Sequence, residues 1–156
     1  MTTIANVQWV LRLQAEFDHS IPLSRSIGVR VINYDGKHLE LSAPLAPNVN
    51  DKGTAFGGSI SCLLTLAAWG VIWIACARAK VPCDIVIHKG NIIYNKPVHV
   101  ELHASCPVPD RTQMKEFIDV LKKKGRARLS LKSELLVDGD IMTAFDCQYA
   151  ALLARE

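Results

Sequence analysis

From residue 53 to residue 77 the chain carries no charged side chain, and this run constrains the fold more than any other feature. It is long enough to cross a bilayer, which takes about 20 apolar residues. Yet Gly57, Gly58, Ser59, Ser61, Thr65 and Gly70 interrupt it, and its surroundings read as amphipathic strands and turns rather than membrane flanks. The run is therefore expected to be a helix over residues 58–79, with Arg78 and Lys80 near its C-terminus, where cations suit the helix dipole. Such a helix is about 30 Å long and apolar on nearly every face, so it must be enclosed. In a chain of 156 residues only a curled sheet offers enough surface. The expected class is α+β, a long central helix wrapped by a curved antiparallel sheet of about five or six strands.

The other periodicities supply that sheet. Ile4, Val7, Val10, Leu11, Leu13 and Phe17 recur at helical spacing, predicting an amphipathic N-terminal helix that ends before Pro22 and lies against the outside of the domain. From Gly28 the period becomes two. Leu39, Leu41 and Ala43 alternate with His38, Glu40 and Ser42 behind the turn signal Asp35-Gly36, so two antiparallel strands are expected. Residues 84–95 supply the strand after the central helix. Val98, Val100, Leu102, Ala104 and Cys106 alternate with His99, Glu101, His103 and Ser105; Ala127, Leu129, Leu131, Leu135 and Val137 alternate with Arg126, Arg128, Lys132 and Glu134. Asp138-Gly139 turns the chain into a last strand through Phe145 and Tyr149. Met114, Phe117, Ile118 and Leu121 mark a short extra helix capped by Asp110 and stopped at Gly125. Without repeats or low-complexity linkers, residues 1–156 read as a single domain.

A formal net charge of +3 is too small to demand nucleic acid and suits a modest anionic ligand. The five cysteines, Cys62, Cys76, Cys83, Cys106 and Cys147, form no CxxC pair, and their number is odd. With no signal peptide ahead of them they read as reduced thiols of a cytoplasmic protein, each a small core hydrophobe.

The chemistry concentrates at the entrance to the central helix. Asn50-Asp51-Lys52-Gly53-Thr54-Ala55-Phe56-Gly57-Gly58 is a turn-rich loop whose glycines let backbone approach a ligand, and the unpaired amides of the following first helical turn are donors for a developing oxyanion. A tight structural turn accounts for the same glycines.

The pattern Asn-x-x-Gly-Thr-x-(His or Phe)-Gly-Gly followed by a long apolar helix resembles the hot-dog-fold thioesterases of the phenylacetate and 4-hydroxybenzoyl-CoA group. It is most similar to the thioesterase domain that in some bacteria follows an N-terminal acetyltransferase domain. Asn50, Gly53, Thr54, Gly57 and Gly58 fall in register, as do Ala67, Trp69 and Gly70. No acetyltransferase portion accompanies them in this sequence. The resemblance implies that Asn50 orients the thioester carbonyl or the water, and that the Gly58 amide polarises the carbonyl. It also implies an Asp or Glu on the helix as base or nucleophile. That position here is Thr65, and the usual His before Gly-Gly is Phe56. A hydroxyl cannot take a proton from water as a carboxylate does, so Thr65 is expected to position water, and Asp51 is the nearest carboxylate that could compensate. A solvated turn residue is the plainer reading of Asp51.

By the same resemblance Phe56 and Gly57 line the substrate groove, and Lys89, Asn91 and Lys96 contact coenzyme A phosphates. Lys122, Lys123, Lys124, Arg126 and Arg128 are rivals for those phosphates, or a solvated helix end and strand face. His99 and His103 on one strand would stand about 13 Å apart, too far for one zinc, and no metal or cofactor is expected beyond coenzyme A as part of the substrate. Gly57-Gly58-Ser59-Ile60-Ser61 misses the G-x-S-x-G nucleophile elbow. Two functions stay open. One is an acyl thioester hydrolase acting on acyl-CoA or acyl-carrier protein at a site between two chains of a homodimer or dimer of dimers. The other is a binding or sensor module that holds acyl-CoA without turnover. A hydratase needs an acid–base pair that Phe56 and Thr65 do not supply.

Overall fold

A computed structural model describes residues 4–154. In chain order the elements are helix α1 (Ile4–Ser20), short helix α2 (Pro22–Ile27), strands β1 (Arg30–Tyr34) and β2 (His38–Ala43), and a 3-10 turn (Ala46–Asn48). Helix α3 (Gly57–Arg78), β3 (Cys83–Tyr94), β4 (Leu102–Pro107), α4 (Arg111–Lys124), β5 (Arg126–Val137) and β6 (Asp140–Leu153) complete the chain. The six strands form one antiparallel sheet in the order β1-β2-β4-β5-β6-β3. The sheet wraps α3, the hot-dog arrangement that the resemblance implies.

The turn chemistry acts as expected. The Asp35 carboxylate accepts the Lys37 and His38 amides, both at 2.7 Å, and closes the β1–β2 hairpin. Asp138 and Gly139 both take positive φ, 50° and 83°, the pair a tight β5–β6 hairpin requires. Asp110 caps α4 by accepting the Gln113 amide at 2.8 Å, and Gly125 ends it in the left-handed conformation.

Alternate residues of β5 and β6 face inward. Leu129, Leu131 and Leu135 with Phe145, Cys147 and Tyr149 are buried against Leu63, Leu64, Ala67 and Ala68 of α3. Two polar side chains in this layer pin the helix: the Ser133 hydroxyl donates to the Leu64 carbonyl at 2.9 Å and the Tyr149 hydroxyl to the Thr65 carbonyl at 2.7 Å. Gly70 lets α3 approach β2 and α1, since a methyl group there would sit 2.7 Å from Leu39 and 2.9 Å from Leu13. α3 is long and apolar enough to cross a bilayer, and its place here is the core of a sheet-wrapped domain.

Three details depart from the sequence reading. Pro22 opens a second helix, α2, because proline fits a first helical position; Gly28, at φ 74°, ends it. The strand expected from Val98 begins at Leu102, because the Val98 carbonyl is committed to the Ala55 amide at 2.8 Å, outside the ladder. α3 is not enclosed on every side. Ser61, Cys62, Thr65, Trp69 and Trp73 form a half-buried stripe along it, with Trp69 donating to the Ile85 carbonyl of β3 at 3.2 Å.

The sheet's two edges differ. α1 covers the β1 edge: the Gln14 amide donates to the Val29 carbonyl at 3.1 Å and accepts the Val31 amide at 2.8 Å, imitating a neighbouring strand. The β3 edge has no such cover among the described residues, and Val86, Ile87, Ile93 and Tyr94 on it are about half exposed.

Candidate functional site

The loop before α3 is held by its own backbone. Asn50 N donates to Thr54 O at 2.8 Å, Phe56 N to Asn48 O at 2.7 Å, and Ala55 N to Val98 O at 2.8 Å. The Asn50 side chain adds three bonds, its Oδ1 accepting the Lys52 and Thr54 amides at 2.9 and 3.1 Å and its Nδ2 donating to the Thr54 hydroxyl at 2.8 Å. One Nδ2 hydrogen is left over. Asn50 therefore shapes the loop first. Asp51 lies at the loop's tip with its carboxylate 78% exposed and paired to Lys52 at 2.9 Å, the solvated turn residue of the plainer reading.

Phe56, in extended conformation, stands at the N-cap of α3 and supplies no capping side chain. Its ring rests on Gly58, where a methyl group would lie 2.3 Å from it. Ile60 N begins the helical ladder by donating to Phe56 O at 3.0 Å, and the Gly57, Gly58 and Ser59 amides ahead of it find no acceptor among the described residues. No acidic side chain occupies this first turn. The end of α3 thus presents unpaired N–H groups at the positive end of a 22-residue helix. From the β3 edge the Tyr94 hydroxyl donates to Gly57 O at 3.0 Å and ties that strand to the helix start.

Thr65 lies two turns beyond Gly58 on the same face, about 10 Å along the axis. Between them Ser61 donates to Gly58 O at 2.9 Å. Ser61 and Thr65 line a groove of about 340 Å³ whose opposite wall is β3, with Ile87, His88 and Ile92. His88 has no partner in the β3–β6 register: Ile87 opposes Tyr149 and Lys89 opposes Gln148, so His88 is the extra residue of a bulge. Beneath the groove, burial pushes the Tyr149 phenol well above its usual range, keeping it a donor to the Thr65 carbonyl, and burial likewise raises the Cys62 thiol.

The structure thus gathers Asn50, Phe56, Gly57 and Gly58 at the helix start and sets Thr65 one groove away. Lys89 reaches the rim of that groove, but it and Asn91 stand opposite Gln148 and Asp146 and share a second, shallow groove with Ser130. Asp146 and Gln148 alternate with the buried Phe145 and Cys147, which puts this groove on the sheet face turned away from α3. Lys96 pairs with Asp140 at 3.2 Å. Lys122, Lys123 and Lys124 are exposed in the last turn of α4, and Arg126 and Arg128 on the outward face of β5. His103 faces Glu101 at 3.6 Å, and no group of three His, Cys, Asp or Glu able to hold a metal occurs among the described residues. Sequence reasoning overlooked His88 and Tyr94. Nothing in the spacing sets His88 apart from the polar Asp84, Lys89 and Asn91 of the same strand, and Tyr94 acts 37 residues from its acceptor.

Residues 10–153 match a family described as "Putative thioesterase (yiiD_Cterm)". The chain is similar to the crystal structure of a protein of unknown function from Chlorobaculum tepidum, at 34% identity over 96% of this chain and 97% of that one, with a TM-score of 0.92. It is also similar to a putative thioesterase from Shewanella oneidensis, at 29% identity over 93% and 98% of the two chains, TM-score 0.81. A thioesterase from Haemophilus influenzae shares the fold, at 12% identity, 94% and 92% coverage and TM-score 0.68.

Proposed function

The chain belongs to this thioesterase family, and from that membership we propose that it hydrolyses acyl thioesters of coenzyme A, or of acyl-carrier protein, at a site completed by a second copy of the chain. The observation that carries the reading is the unpaired first turn of α3 at the end of the Thr65 stripe. Water attacks the thioester carbonyl carbon, and the carbonyl π pair moves to oxygen, where the Gly58 amide and the free Asn50 N–H receive it. Collapse of that intermediate breaks the C–S bond and releases a thiolate, which takes up a proton. The attacking water must lose one. Thr65 orients it, and His88, across the groove, is the general base that takes that proton. Asp51 remains the rival acceptor if the loop turns inward on binding.

Completion by a second chain is supported by the contrast between the edges. β1 is blocked by Gln14, whereas β3 offers a 12-residue edge flanked by half-exposed apolar side chains and the Trp69–Trp73 stripe. Pairing two β3 strands would continue the sheet and cover both stripes. Lys89, Asn91 and the Lys122–Lys124, Arg126 and Arg128 cations are candidates for the nucleotide phosphates, and their removal should raise KM more than it lowers kcat.

The test is a panel of acyl-CoAs from short to long with detection of the free thiol, under single-turnover conditions, for wild type, Thr65→Ala, Thr65→Asp and His88→Gln. Wild type should exceed buffer, Thr65→Ala and His88→Gln should fall below wild type, and light scattering at micromolar concentration should give a dimer or larger. If wild type binds acyl-CoA yet releases thiol no faster than buffer, the chain is an acyl-CoA-binding module, the reading that Thr65 in the usual carboxylate position favours.

A further inference from the structure

At the other end of α3, about 30 Å from Gly58, the chain builds a second cavity of about 560 Å³, within the roughly 300–1,000 Å³ range of small-molecule sites. Its floor follows from helical spacing. Val71, Ala75 and Ala79 lie on one face of α3, and the two alanines leave room that larger side chains would fill. α4 turns Phe117 and Leu121 into the core, while Met114 and Ile118, one step round the helix, stay half-covered and face the space.

The rim is polar and lopsided in charge. Tyr34 ends β1 with its ring buried, 4% exposed, and its hydroxyl accepts from the Arg78 guanidinium at 3.3 Å. The tyrosine's own proton finds no acceptor among the described residues. Arg78 and Arg111 have no carboxylate partner there either, and Asp119, the carboxylate lining the cavity, is held by Lys115 at 2.5 Å. Arg78 is not needed to finish α3, because the Ala75, Cys76 and Ala77 carbonyls already accept the Ala79, Val81 and Lys80 amides. A buried hydroxyl with a spare proton, beside a guanidinium it helps to orient, is a receptor for a planar anion. The alanine and methionine floor accepts an apolar body.

We infer that this cavity between α4, the C-terminal half of α3 and the β1–β2 hairpin binds an amphipathic organic acid, its carboxylate on Arg78 and Tyr34 with Arg111 alongside and its apolar body against Ala75, Met114 and Ile118. The site is separate from the groove at Thr65 and does not depend on thioester hydrolysis.

The probe is octanoate, with octanol and acetate as controls for the head and the body, followed by NMR of methyl-labelled methionine. The chain has three methionines, Met1, Met114 and Met142, and among the described residues Met114 alone of them lines this cavity. Octanoate should shift the Met114 methyl and leave Met142 in place, while octanol and acetate should each need at least tenfold higher concentration. Arg78→Gln should weaken octanoate binding about ten- to a hundredfold, the loss expected for a charged hydrogen bond, and Tyr34→Phe about tenfold. Ala75→Leu, which fills the floor, should abolish binding in a folded protein and guards against a misfolded Arg78 variant. An unmoved Met114, octanol as tight as octanoate, or unchanged affinity in Arg78→Gln overturns the inference.

Discussion

Replacing Tyr149 with Phe removes one oxygen from the centre of the molecule and measures how firmly the sheet holds α3. The ring is 1% exposed and its packing survives the substitution, so the change is confined to the hydroxyl's 2.7 Å bond to the Thr65 carbonyl. That carbonyl also serves the helix's own ladder four residues on, so no buried acceptor is orphaned. The cost should be that of one net hydrogen bond, about 0.5–1.5 kcal/mol. For a chain of 156 residues each kcal/mol corresponds to a fall in melting temperature of about 2–4 °C. Burial keeps the phenol protonated far above neutrality, so the loss should be the same at pH 6 and pH 9. Ser133→Ala, which frees the neighbouring Leu64 carbonyl, should cost a similar amount, and the double variant should depart from additivity by about 0.5 kcal/mol or more because the two bonds hold one segment. Urea unfolding followed by circular dichroism gives the energies, and thiol release by the folded variants shows whether Thr65 has moved. A Tyr149→Phe variant as stable as wild type would mean that the bond contributes nothing, and a loss above about 3 kcal/mol would mean that the hydroxyl organises packing beyond one bond.

Asn50→Ala should lower turnover about a hundredfold, the effect of removing an oxyanion donor, and destabilise the domain by about 1–2 kcal/mol through the loop bonds; unchanged turnover in the folded variant removes Asn50 from the chemistry. Asp110→Ala deletes the α4 cap and should cost about 1 kcal/mol in urea unfolding, with activity intact. Asp35 is held below the usual aspartate value of 3.8 by the His38 and then the Lys37 amide. A lowered carboxylate stabilises the fold above its unfolded value and loses that contribution as pH falls through its folded value, so wild type should exceed Asp35→Ala in stability at pH 7 and the gap should close below about pH 4. A gap that does not narrow as the pH falls from 7 to 2 refutes the assignment.

The fold was legible because its strongest signals are local. The uncharged run with its glycines and amphipathic surroundings reads as a core helix, the Asp-Gly pairs read as hairpin turns, and Asp110 and Gly125 punctuate α4 within one element. What escaped depends on pairings between distant residues. Nothing in the spacing of α1 tells that Gln14 will copy a strand and seal β1, and Val98 reads as strand until its carbonyl is seen to serve Ala55. The bulge had the largest effect. Simple alternation from Ile85 and Ile87 puts Lys89 and Asn91 on the helix side, but the extra residue at position 88 reverses the parity and sends both to the other face. Alternation cannot report an insertion in one strand of a pair.

The same bulge bears on the missing carboxylate. An Asp or Glu at position 65 would stand over a layer dry enough to raise both the Cys62 thiol and the Tyr149 phenol, with no cation on its own helix face to offset its charge. Threonine carries no such cost, and it keeps a hydroxyl that can orient water. A proton acceptor must then come from the facing wall, and in a regular strand one residue of each adjacent pair points away. The bulge relaxes that rule at one position, and His88 occupies it, on the rim of the groove that Thr65 lines. In the proposed site, therefore, the positioning group sits on the helix and the proton acceptor on the strand edge. That edge is also the one left open for a second chain, so assembly would determine both the enclosure of the site and the water available to His88.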